Sequence, residues 1–250
     1  MADDQGRKSG SQMRRSMDKQ DSMKSEQGFA SPPCLMHELD PTFSGFPENQ
    51  KDPEQERDVK RWRKAEREQL IKQRLAIPPD IRRQSNKQIT AHLEEAIGDV
   101  KGLVISCYWP FKGEPNLHPF MKSLAALGGV CALPVVVSLG KPLFFRAWSQ
   151  ETPMTRGVWN IPVPQETAPV VVPDVVIAPL IGFDPSGYRL GYGGGFYDRT
   201  LAGITKPVRV IGVGYQSAAI PTIFPQWHDI PMDSVITEQG RVPLVAKKER

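Results

Sequence analysis

The segment RLGYGGGFYDR, Arg189 to Arg199, sets glycine at positions 191, 193, 194 and 195 between two arginines and beside an acid. Glycine reaches positive φ without strain and lets main chain approach a ligand closely. Successive amide N–H groups in such a loop form an anion-binding concavity, and a helix that starts there adds its positive N-terminus. Arg189 and Arg199 can add charge or structural pairing, and Asp198 is a hard oxygen donor suited to Mg²⁺ beside phosphates. The spacing is not the G-x-G-x-x-G of dinucleotide-binding folds, because Phe196 fills the last glycine position, and no G-K-[ST] follows as in a P-loop. A tight turn uses glycines in the same way, so residue types alone leave an anion site and a structural turn both open. Phe196 reads as a packing anchor of the following helix, and Tyr197 as a contact to the ligand.

The elements that must position this loop follow from apolar patterning. DVVIAPLIGF (174–183) reads as a buried strand running into the loop, and a helix is expected from about Phe196. Further strands are expected at 102–109, 130–137, 142–148, 208–215 and 233–238, with a helix over 116–127. Upstream, 53–74 reads as a basic helix, with seven Lys or Arg against two acids between Lys60 and Arg74. A second helix, from about Asp80 to Ile97, shows one apolar face repeating every four residues. Strands alternate with helices, and several strands are apolar on both faces. That predicts an α/β fold with a mostly parallel sheet covered by helices on both faces, whose ligands gather at the carboxyl ends of the strands. The proline-rich 161–174 reads as a connecting loop.

Composition bounds the rest. The 250 residues suit one α/β domain with extra segments, and a net charge of +4 makes no general case for nucleic acid or membrane binding. Residues 1–55 form an N-terminal extension, largely disordered, with apolar residues among prolines at 31–46 that suit a docking arm; residues 56–250 form the α/β domain. Cys34 and His37 have metal-ligand spacing but lack a second pair, so zinc is not expected. The three scattered cysteines fit a reducing compartment, and with neither a membrane span nor a leader pattern the expectation is a cytoplasmic protein, monomer or homodimer.

The longer stretch GFDPSGYRLGYGGGFYDR resembles the signature of the 5-formyltetrahydrofolate cyclo-ligase (5,10-methenyltetrahydrofolate synthetase) family, every fixed position being met from Phe183 to Asp198. The resemblance continues in YWPFKGE (Tyr108 to Glu114), in the WNIPVP loop (Trp159 to Pro164) and in HDIPMDSVITE (His228 to Glu238), and spans about residues 57–240. It implies a NagB/RpiA-like fold, ATP as co-substrate, Mg²⁺ as cofactor, and ATP-dependent cyclisation of 5-formyltetrahydrofolate to 5,10-methenyltetrahydrofolate with release of ADP and phosphate. Phosphorylation of the formyl oxygen makes it a leaving group, and no protein nucleophile is needed.

By the same resemblance, Gly191, Tyr192, Gly193, Gly194, Gly195, Phe196 and Tyr197 meet ATP. Arg189 and Tyr197 are catalytic. Arg63 and Arg67, one helical turn apart, hold phosphates, with Arg63 standing where the family has lysine. Asp198 and Asp229 hold the metal, with Asp229 reading equally as a loop acid that caps a turn. Glu114 contacts the pterin; Trp109 and Phe111 line its pocket, or at least one of them packs in the core. Phe196 replaces the commoner tyrosine and Val163 a glutamate of many bacterial members. The alternative is a non-catalytic relative that binds folate or nucleotide as an interaction module.

Overall fold

The computed structural model describes residues 53–245. The expected docking arm at 31–46, Cys34 and His37 lie outside that range. The chain opens with two helices, α1 (Pro53–Leu75) and α2 (Pro79–Ile97); Pro78 and Pro79 separate them, and proline suits a first helical turn because its missing N–H is not needed there. There follow β1 (Val104–Ser106), α3 (His118–Ala126), β2 (Val130–Val136), β3 (Leu143–Trp148), β4 (Met154–Arg156), β5 (Pro162–Pro164), β6 (Val170–Val171), β7 (Val175–Pro179), β8 (Gly182–Phe183), β9 (Arg189–Leu190), α4 (Phe196–Gly203), β10 (Arg209–Val213), β11 (Ser234–Thr237) and β12 (Gly240–Arg241).

Eight strands form one sheet in the order β12-β11-β10-β7-β1-β2-β3-β6. Pairing is parallel from β11 through β2, and antiparallel for β12, β3 and β6. The sheet is therefore mixed, not mostly parallel as the strand–helix alternation suggests. Connection length is the reason. Parallel neighbours need a crossover of a dozen residues or more, whereas 137–142 between β2 and β3 and 238–239 between β11 and β12 are long enough only for hairpin turns. The expected loop at 161–174 contains β5, paired with β4, and β6, which extends the sheet edge.

Helices do cover both faces. Ile89 and Leu93 of α2 and Phe120, Met121 and Leu124 of α3 pack with Ile105, Val175, Ile177, Ile211 and Ile236. On the opposite face Leu201 of α4 joins Val176, Ala178, Val210 and Val235. Adjacent residues of β7 thus feed different cores, as the two-residue period of a strand requires. α1 lies over a third, smaller cluster, where Leu70 meets Ile181, Leu190, Ile220 and Ile223. No described helix is long and apolar enough to cross a membrane.

Candidate functional site

β1 stands between β2 and β7. The chain leaves β1 for β2 through α3 on one face, and leaves β7 for β10 through α4 on the other. The crevice such divergence opens at the carboxyl ends of the strands is where open α/β sheets hold ligands. A cavity of about 220 Å³ sits there, with Tyr108 and Trp109 beyond β1, Pro134 and Val136 of β2 and Pro179 of β7 among its walls.

The glycine loop closes one side. Gly193 and Gly195 take φ of +92° and +61°, and α4 starts immediately after Gly195. A Cβ on Gly194 would stand 2.6 Å from the Phe196 ring, and one on Gly195 would stand 2.8 Å from the Arg199 guanidinium, which itself donates to the Gly194 carbonyl. At Gly191 a Cβ would meet nothing within 4 Å. Positive φ at 193 and 195 and the Phe196 ring against 194 therefore favour glycine at all three positions, while the loop opens toward the cavity.

Arg63, Arg67, Leu70 and Arg74 form one stripe of α1 facing the site, yet the three arginines have different engagements. Arg63 spends its guanidinium on protein. Nη2 donates to Asp229 Oδ2 at 2.5 Å and to the Phe224 carbonyl at 2.8 Å, Nη1 reaches Asp229 Oδ1 at 3.4 Å, and Nε donates to the Ile223 carbonyl at 2.9 Å. Arg67 donates only Nε, to the Gly191 carbonyl at 2.6 Å; its terminal nitrogens have no acceptor among the described residues and lie against Gly193. Burial lowers the Arg67 pKa, Arg63 nearby adds to that, and Asp229 opposes it. An anion in the loop would relieve both unfavourable influences.

Arg189 is buried on β9 and donates Nη2 to Asp198 Oδ1 at 2.7 Å and Nη1 to the Ile230 carbonyl at 2.9 Å. The Ile230 N–H also donates to Asp198 Oδ1, at 3.1 Å, while Asp198 Oδ2 has no partner among the described residues. The Arg189 guanidinium lies 5.7 Å from the centre of the Tyr197 ring. Tyr197 lines the cavity, and its buried hydroxyl has no hydrogen-bond partner among the described residues. Burial raises its pKa well above the ordinary phenol, Glu114 adds to the rise, and Arg189 opposes it. A buried polar group without a partner is costly, and a catalytic role is one reason such groups persist.

On the far side, Glu114 is buried between loop and helix. Its Oε2 accepts from the Phe111 N–H at 2.9 Å and its Oε1 from the Tyr192 hydroxyl at 3.0 Å. Arg74 Nη2 in turn donates to the Tyr192 oxygen at 2.7 Å, with its other nitrogens on the Lys112 and Leu180 carbonyls. Desolvation raises the Glu114 pKa to about 7, against the Arg74 charge and the hydrogen bonds from Phe111 and Tyr192. Phe111 is tilted on Tyr192 at 5.8 Å, and Trp109 packs edge-on against His118 and Trp148 at 4.4 and 6.4 Å.

All the residues singled out in the sequence as site residues therefore line one cavity, from Arg63 to Asp229. Asp198 and Asp229, however, form no cluster of three or more ligating side chains with other described residues. Sequence reasoning passed over Arg74, whose signal was its place on the Arg63–Arg67 stripe, and gave no site role to Trp159, which it noted only within the matching WNIPVP loop. That indole packs edge-on to Phe196 at 6.1 Å, and Trp159 and Asn160 take φ of +57° and +60°.

The sequence model of the 5-formyltetrahydrofolate cyclo-ligase family matches residues 59–238, a range that contains every residue lining the cavity. The chain belongs to this family. The family's 5-formyltetrahydrofolate cyclo-ligase from Haemophilus influenzae is 30% identical over 159 residues, covering 61% of this chain and 85% of that protein. The Escherichia coli K12 cyclo-ligase is 30% identical over 179 residues, covering 67% and 96%. Among solved structures, the Aquifex aeolicus 5,10-methenyltetrahydrofolate synthetase shares the fold with a TM-score of 0.63 at 24% identity, over 75% of this chain and 95% of that one. The Mycoplasma pneumoniae synthetase does so with 0.59 at 23%, over 70% and 98%.

Proposed function

We propose that this cyclo-ligase family member closes 5-formyltetrahydrofolate to 5,10-methenyltetrahydrofolate at the expense of ATP, releasing ADP and phosphate. The observation that carries the reading is a single cavity with an anion cradle on one side and a buried acid in an aromatic recess on the other. Backbone N–H groups of Gly191–Gly195, the start of α4 and the open nitrogens of Arg67 take the ATP phosphates. Glu114, whose oxygens each retain a lone pair, accepts from the N–H groups of the pterin, while Trp109 and Phe111 bound the ring. This sets the formyl oxygen against the γ-phosphate. ATP phosphorylates that oxygen, the folate nitrogen at position 10 attacks the activated carbon, and phosphate departs with the C–O bond. The protein's part is alignment and charge stabilisation. Arg189 faces the transferring group across the Tyr197 ring, and the unpartnered Tyr197 hydroxyl donates to one of its oxygens.

Mg²⁺ would neutralise phosphate charge. Asp198 suits it, having one oxygen with no partner among the described residues at the cavity wall, and a Mg²⁺ held by a single carboxylate, water and phosphate oxygens is an ordinary arrangement. Asp229 suits it less, because Arg63 and the Gln226 N–H already occupy both its oxygens. With the reading go a NagB/RpiA-like fold, a cytoplasmic location and a monomeric or homodimeric state. The non-catalytic alternative has no observation in its favour.

The test is absorbance of the methenyl product after mixing purified protein with 5-formyltetrahydrofolate, ATP and Mg²⁺. Product that requires ATP supports the reading; none from well-folded protein overturns it. Two arginines one turn apart should then separate. Arg67→Ala is expected to raise KM for ATP about tenfold, the loss of one charge-assisted contact, and to cost about 1 kcal/mol of stability at most through its bond to the Gly191 carbonyl. Arg63→Ala is expected to cost about 3 kcal/mol of stability, since it strands the Asp229 carboxylate in a nearly buried position. Steady-state kinetics and urea titration of both variants check this.

A further inference from the structure

Tyr192 stands in both halves of the site at once. Its main chain lies inside the glycine loop, between Gly191 and Gly193, while its hydroxyl sits between Arg74 and Glu114 at 2.7 and 3.0 Å. Arg74 is buried and anchored by the Lys112 and Leu180 carbonyls, so it donates to the phenol oxygen and obliges the phenol proton to point at Glu114. Glycine on both flanks lets the loop main chain change shape when an anion enters, and any such change displaces the hydroxyl that holds the acid.

Resting on the proposed assignment of the two ligands, we propose that Tyr192 is a positioning residue that couples them: phosphate in the glycine loop fixes Tyr192, and Tyr192 fixes Glu114 for the pterin. Coupling of this kind is reciprocal, so each ligand tightens the other by the same factor. The phenol supplies the link because it is the only side chain among the described residues seen to hydrogen-bond Glu114. Charged and titratable groups facing Glu114 from the surrounding elements are Arg74 of α1, Tyr192 of the loop, Tyr108 after β1, Tyr197 of α4 and Tyr215 after β10. Of these, Arg74 and Tyr192 favour the carboxylate form of Glu114.

Calorimetric titration with the β,γ-imido analogue of ATP and Mg²⁺, with and without saturating 5-formyltetrahydrofolate, reads the coupling directly. In the wild type the folate is expected to lower the analogue's Kd by about fivefold or more. In Tyr192→Phe the ratio falls to near one, although each ligand still binds. Folate Kd measured across pH provides a second readout. Loss of the phenol donor moves the Glu114 titration upward, so folate binding weakens from a higher pH than in the wild type. A ratio near one in the wild type, or the same ratio in both proteins, overturns the proposal. A wild type that binds neither ligand rejects the functional reading as well, and so is told apart from failure of the coupling alone. Tyr192→Met, which also lacks a hydroxyl, serves if the phenylalanine variant does not fold, with the same outcomes deciding.

Discussion

Tyr197→Phe is expected to lower kcat by about 100-fold or more while leaving the protein as stable as the wild type or more so. The two halves of this expectation come from one observation, the buried hydroxyl with no partner among the described residues. In the resting protein that oxygen has given up water and received nothing, a cost of about 1–3 kcal/mol that phenylalanine does not incur. During turnover the same hydroxyl meets charge developing on a transferred phosphoryl oxygen, and removing one preorganised donor of that sort typically costs 10²–10³ in rate. Single-turnover kinetics together with urea denaturation separate the two. A variant that loses stability and keeps its rate would mean that Tyr197 packs the wall and takes no part in the chemistry.

The second large effect belongs to Glu114. Glu114→Gln is expected to reduce kcat/KM for the folate by about 10- to 100-fold, with KM for ATP changing less. The amide can accept from Tyr192 or from the Phe111 N–H but not from both, so it leaves one donor unsatisfied and offers the pterin a weaker acceptor. The wild-type pH profile should carry a limb near 7, where Glu114 ionises, with activity rising through it; in the glutamine variant that limb disappears. The stability linkage has the opposite sense. The pKa is raised on folding, so the contribution of Glu114 to stability is complete below the ordinary carboxylate range and is lost as pH rises through about 7. The variant, permanently neutral there, gains stability relative to the wild type at alkaline pH. Comparing unfolding free energies at pH 5 and pH 8 checks the sign.

Much of this site is legible in the chain. The glycine loop announces itself by composition, with four glycines in five positions, and the positive φ at 193 and 195 is a use that residue suits. Its position after the strand 175–179 follows from an apolar run too long to be anything but buried. The partition of roles within α1 is not legible. Arg63 and Arg67 are the same residue type at equivalent phases of one helix, and only the fold of 223–229, which brings carbonyls and Asp229 to the first of them, sets them apart. Arg74 looks like one more solvated cation until Leu180, Lys112 and Tyr192 surround it. Strand direction is a similar case: patterning places β3 correctly, but its sense depends on the few residues that precede it. What sequence conveys here is which residues need special surroundings, and tertiary pairing decides who satisfies whom.

The ion pair between Arg63 and Asp229 joins residues 166 positions apart. During synthesis, then, the amino-terminal wall of the cavity leaves the ribosome long before its counterpart, and β11, which follows Asp229, later still. Neither ligand can find a finished site on the nascent chain, so neither can guide its folding. Ligand rescue of a damaged variant must act on the completed domain, by drawing the equilibrium toward molecules that have already closed.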